Sequence, residues 1–236
     1  TSKAIWLESF CRVKGVCRRV SDESGENNSI QLLVADSSQV YVEHPPSESP
    51  FASNLSSIKD VRDGLKFAFG ERSVVQGIVT YITNSGDFYL ADESGAIHVK
   101  LRGEDPPEVG SSLKVSGFSV ARGKQMGLEL AVKASGDEML QPIIREPLEH
   151  FERLQEELIG LPVLVSGTIA SIFNNDKKTT IYLLENENIV AVDAPVELGK
   201  LKPGTEISTE AIYLAAYNET GYLTGYDLKI IDPEKV

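Results

Sequence analysis

Between Val74 and Val132 the apolar residues alternate with polar ones through five successive short segments, a period of two that marks half-buried β-strands. In Val75-Gln76-Gly77-Ile78-Val79-Thr80-Tyr81-Ile82 a glycine interrupts an otherwise β-branched run, as expected where a strand bends sharply around a small barrel. Phe88 and Leu90, then Ile97, Val99 and Leu101, share one face, while Tyr89, His98, Lys100 and Arg102 share the other. Asp92-Glu93-Ser94-Gly95 lies between the two runs and predicts a hairpin, with Gly95 placed to take the positive φ that its turn needs. Leu113 and Val115 lead up to Gly117, and Leu128, Leu130 and Val132 follow the turn Arg122-Gly123-Lys124. The stretch therefore predicts a closed five-stranded barrel.

The glycine signature recurs along the chain: Val13-Lys14-Gly15-Val16, Val75-Gln76-Gly77-Ile78, Val115-Ser116-Gly117-Phe118 and Val165-Ser166-Gly167-Thr168, with Ala211 where a fifth would fall. Such recurrence marks repeated units, and within one barrel it alternates between strand one and strand four. The fold class expected is mainly β, with tandem OB-type five-stranded barrels and short linking helices. An OB barrel binds its ligands on the face of strands two and three and on nearby loops.

The alternation assigns Gly15 to a strand four, because a strand-one reading demands another signature near Asn54-Leu55-Ser56-Ser57, where none occurs. Ile30–Val34 is then strand five and 39–43 its continuation out of the barrel. The domains expected are 1–44, a partial unit with strands four and five only; 45–70, a Pro/Ser-rich linker and short helix; 71–140, the central barrel; 141–159, a linking helix; and 160–236, a second complete barrel. Ser57 is expected to cap the first helix, with Ile58, Val61 and Leu65 on one side; Pro147 with Leu148, Phe151, Leu154 and Leu158 predicts the second. A hairpin made only of strands four and five leaves both edges unpaired and its apolar side bare. It is expected to pack on the neighbouring barrel, to pair with a second copy, or to belong with residues upstream of this chain.

A chain of 236 residues and 41% hydrophobic composition can bury real cores. Its net charge of −12 repels a phosphate backbone at long range, so nucleic acid is expected to be an unlikely partner. No run reaches the length of a membrane span, although a parent protein could carry an anchor elsewhere. Cys11 and Cys17 fall in one extended run, roughly 20 Å apart if it is straight, and cannot bridge there. His44, His98 and His150 lack a second ligand at metal-binding spacing, and neither a phosphate-cradling glycine loop nor a nucleophile elbow occurs. No catalytic residue, metal or cofactor is expected. The candidate ligand-binding face is that of the central barrel: Tyr89, His98, Lys100 and Arg102, joined by Arg122 and Lys124 from the turn, with acidic residues such as Asp87 and Glu104 around the same loops.

The motif Gly77-Ile78-Val79-Thr80-Tyr81, the hairpin from Phe88 to Val99, and Ser49-Pro50-Phe51-Ala52 ahead of the first helix together resemble the extracytoplasmic N-terminal sensor region of bacterial hybrid two-component histidine kinases. Ala91 stands where that family usually has a polar amide, and the last unit lacks the Asp-x-x-Gly hairpin. The resemblance implies a non-catalytic sensory or interaction module of a signalling protein, periplasmic or extracellular, taking a small ligand or a protein partner. The rival expectation is an array of OB folds that binds single-stranded nucleic acid.

Overall fold

The computed structural model describes residues 6, 9–21, 28–45, 49–65, 71–122, 125–136, 146–148, 154–175, 178–185, 187–194, 201–218 and 223–232. Contacts divide the chain into two compact units, Thr1–Ala52 and Ser53–Val236. Strands dominate both.

In the first unit, β1 (Phe10–Val13) and β2 (Val16–Ser21) follow one another across Lys14-Gly15, and β3 (Asn28–Leu33) returns antiparallel to β2. After a short 3-10 turn at Ser37–Gln39, β4 (Val40–His44) continues back along β1, with Val13 opposite Val40. The expected strand pair is present, but the segment after it pairs back on β1 instead of running outward. Gly15 lies where β1 passes into β2. A Cβ there would meet the Leu33 carbonyl oxygen at 2.5 Å, as one at Gly77 would meet that of Ala91, and both glycines also abut the leucine one residue earlier. Gly117, in strand four, would instead meet the side chains of Leu128 and Ala131. Gly15 thus has a backbone carbonyl as its close neighbour, as Gly77 does. In Ala35-Asp36-Ser37-Ser38 the Asp36 carboxylate accepts from Ser38 N–H at 2.7 Å, as Asp92 does from Ser94 N–H at 2.8 Å in Ala91-Asp92-Glu93-Ser94.

The second unit opens with α1 (Ile58–Arg62), capped by Ser57, whose side chain accepts from Asp60 N–H. Ile58 and Val61 are buried as expected; Leu65 is exposed, because the helix ends at Arg62. The first barrel consists of β5 (Arg72–Ile82), β6 (Phe88–Asp92), β7 (Gly95–Leu101), β8 (Ser112–Arg122) and β9 (Gln125–Ser135), closed in the order β5-β6-β7-β9-β8. The long β5 pairs with β8 up to Ile78 and with β6 from there on. Gly77 sits at that change of partner, where any side chain would collide with the Ala91 carbonyl. Val75, Val79, Phe88, Leu90, Ile97, Val99, Val115 and Leu128 fill the interior together with Ile58 and Val61 of α1. The helix is held by the hairpin turn: Ile58 N–H donates to Asp92 Oδ2 at 3.0 Å, and Lys59 N–H to Ser94 Oγ at 3.0 Å. The acidic turn before Gly95 thus anchors a helix N-terminus as well as shaping a hairpin.

Next comes β10 (Glu146–Pro147), parallel to β11 (Pro162–Asn174), so Pro147 stands in a short strand where a helix start was expected. The 3-10 turn Glu156–Leu158 follows Leu154 and Gln155, which are not helical, while residues 141–145 and 149–153 of the expected linking helix, including Phe151, lie outside the described residues. The second barrel adds β12 (Thr179–Glu185), β13 (Asn188–Ala194), β14 (Glu206–Tyr217) and β15 (Leu223–Ile230). It runs β11-β12-β13-β15-β14, and the pairing of β14 back onto β11 closes it. Both barrels therefore share one strand order, that of tandem OB barrels. Gly167 repeats the role of Gly77: β11 changes partner near it, and a Cβ would meet the Leu184 carbonyl oxygen at 2.9 Å.

Candidate binding surfaces

The outward residues of β6 and β7 do not all face solvent. Tyr89 packs on the core of the second barrel and touches Gly160, whose φ of +84° lets the chain pass over the ring where a Cβ would collide with it. Thr80 Oγ1 donates to Gly160 O at 2.7 Å, Gly160 N–H donates to Tyr213 O at 2.7 Å, and Gln125 Nε2 donates to Glu156 O at 2.7 Å. His98 meets Tyr89 edge to face, with ring centroids 5.3 Å apart. Its Nε2 lies 3.5 Å from Asp87 Oδ2, and its buried Nδ1 has no hydrogen-bond partner among the described residues.

Electrostatics follow from that burial. Desolvation, reinforced by the Arg122 charge and partly opposed by Asp87, pushes His98 down to about 4. At neutral pH the imidazole is uncharged, so its contact with Asp87 is not an ion pair. Desolvation likewise pushes the Tyr89 hydroxyl up to about 12, with smaller contributions from Tyr217 and Tyr81.

Of the six residues expected to form a ligand face, Tyr89 is thus covered by the segment that enters the second barrel, and His98 is buried beside it. Lys100, Arg102 and Arg122 are exposed, with Arg122 Nη1 3.9 Å from Glu129 Oε1. Lys124 lies outside the described residues. Alternation fixed which side of the strands these residues occupy. What would lie over that side was invisible to it.

The same face of the second barrel is open. Three cross-strand rows build it: Phe173, Thr180 and Asp193; Ser171, Tyr182 and Ala191; then Leu184 beside Ile189. Phe173 is 60% exposed, Tyr182 37%, Leu184 46% and Ile189 67%. Asp193 is held by Thr180 Oγ1 at 2.7 Å and Lys178 Nζ at 2.5 Å. Sequence reading did not single out this face, although Tyr182 and Leu184 alternate with the buried Ile181 and Leu183 and so declare themselves outward. Among the described residues no three His, Cys, Asp or Glu side chains cluster to hold a metal ion, and Cys11 and Cys17 are free thiols. No helix among them is long and apolar enough to cross a membrane.

The chain matches no known protein family and no curated protein sequence. Among solved structures it is similar to a murine DNA-binding protein bound to double-stranded DNA, at 14% identity and a TM-score of 0.35, over 66% of this chain and 90% of that one. It is also similar to fission yeast Pot1 with single-stranded DNA, at 13% identity and a TM-score of 0.37, over 77% and 85%. The expectation that nucleic acid is an unlikely partner is corrected here, since both of these structures hold DNA. It rested on net charge, which describes the whole chain and not one face of it.

Proposed function

We propose that the chain is a non-catalytic binding module, and that the open face of strands two and three in its second barrel takes a single-stranded nucleic acid. The observation supporting this reading is the exposed ring of Tyr182 on strand two, with the exposed ring of Phe173 opposite Thr180 at the end of strand one, on the face that OB barrels use for ligands. Bases stack on such rings with little regard to sequence, each stack contributing about 1–3 kcal/mol. Lys178 is committed to Asp193, so stacking and not phosphate pairing supplies most of the affinity. Titration of a labelled oligothymidylate is expected to give micromolar binding with a shallow salt dependence, weakened at least about fivefold by Tyr182→Ala. No binding at about 100 μM, or binding indifferent to Tyr182→Ala, overturns the reading.

A second reading is the sensory or interaction module of an extracytoplasmic signalling protein. It draws support from the net charge of −12 and from Leu184 and Ile189, which make the same face suitable for an apolar protein surface. The ligand separates the two: the first reading needs oligonucleotide binding that falls in Tyr182→Ala, whereas the second needs a protein surface as ligand, with affinity that falls in Leu184→Ser.

A further inference from the structure

A cleft of about 620 Å³ lies between the two barrels of the second unit, within the range typical of small-molecule sites and at the kind of junction where they concentrate. The first barrel contributes Tyr81, Ile82 and Val109 to its lining; β15 and the residue after it contribute Asp227, Lys229 and Ile231. Lys229 is half-buried, and its Nζ donates to the Tyr81 hydroxyl at 3.4 Å while lying 5.7 Å from the centre of that ring. Neither Lys229 nor Asp227 has a charged partner among the described residues. Asp193, directly across the ladder from Lys229, is already satisfied by Lys178 and Thr180. The cleft therefore presents one ammonium and one carboxylate without ionic partners among the described residues, beside the paired Lys178 and Asp193 and the apolar side chains of Ile82, Val109 and Ile231.

We propose that this cleft binds a short apolar zwitterion with the chemistry of a dipeptide. Asp227 and Lys229 are two residues apart on one side of β15, which spaces their attachment points by roughly 7 Å. That is about the length of two extended residues, so the spacing matches the separation of a dipeptide's terminal charges. The ligand carboxylate meets Lys229 and the Tyr81 hydroxyl, which accepts from the lysine and still has its own proton to donate. The ligand ammonium meets Asp227, and its side chains lie on Ile82, Val109 and Ile231. The cleft meets the open face at Lys178 and Asp193 but includes neither Tyr182 nor Phe173, so each proposal can fail without the other.

The test is calorimetric titration of the full chain with Leu-Leu, alongside N-acetyl-Leu-Leu and Leu-Leu-amide, which each lack one charge. For a ligand of this size a Kd on the order of 100 μM is expected. Each blocked peptide, and free leucine, is expected to bind at least about tenfold more weakly. Asp227 is exposed, so Asp227→Asn leaves the barrels intact; it is expected to erase the preference for the free amine and to leave oligonucleotide binding unchanged. Lys229→Met is expected to erase the preference for the free carboxylate. No binding of Leu-Leu at millimolar concentration, equal binding of the blocked peptides, tighter binding of leucine, or an unchanged amine preference in Asp227→Asn each overturns the proposal.

Discussion

The outer faces of β6–β7 and β12–β13 occupy the same place in two barrels of the same strand order, yet one is buried and the other is open. On the first, Tyr89 is spent on holding the barrels together, His98 is desolvated, and Gly160 presses against the ring. On the second, Tyr182, Leu184 and Ile189 stand out from the sheet. A tandem array of barrels can give one binding face to its own assembly and keep the other free. Equivalent positions in the repeat therefore predict opposite consequences of mutation: loss of stability on the covered face, loss of binding on the open one.

The largest effect is expected at the covered face. Gly160→Val places a branched side chain against Tyr89 at a backbone conformation that non-glycine residues rarely adopt, so both overpacking and φ strain apply. Chemical denaturation is expected to show a loss of about 2–5 kcal/mol, or separate melting of the two barrels. A variant within about 0.5 kcal/mol of the parent breaks the comparison.

A smaller effect comes from His98. Its folded pKa lies near 4, below the value of about 6.5 expected when unfolded, so the unfolded chain binds the proton more readily. The contribution is complete above about pH 6.5 and is lost as pH falls toward 4; on the order of 1–3 kcal/mol of stability goes in that window. Stability measured from pH 7 to pH 4 is expected to fall more in the parent than in His98→Phe. Identical profiles remove His98 from the covered face.

The smallest effect on stability is expected at the open face. Tyr182→Ala removes a side chain that is 37% exposed, between the small cross-strand neighbours Ser171 and Ala191, so unfolding should change by less than about 1 kcal/mol while ligand affinity drops. A loss as large as that of Gly160→Val means that something in the fold covers Tyr182 after all.

Several of the elements were legible residue by residue. Ser57 announced the helix cap, Asp92 and Gly95 the hairpin, and Gly77 and Gly167 the points where a strand changes partner. Pro147 misled because proline suits a helix start and a short edge strand equally well, and only the pairing of β10 with β11 distinguishes them.

The sequence by itself determined the strands, their inward and outward sides, and the glycines at the bends, because period-two alternation and steric exclusion of a Cβ act within a few residues. Only the tertiary structure decided which outward side stays outside. That choice depends on where the segment carrying Gly160 crosses β6 and β7, a contact between residues some 70 to 80 positions apart that leaves no local pattern in the chain.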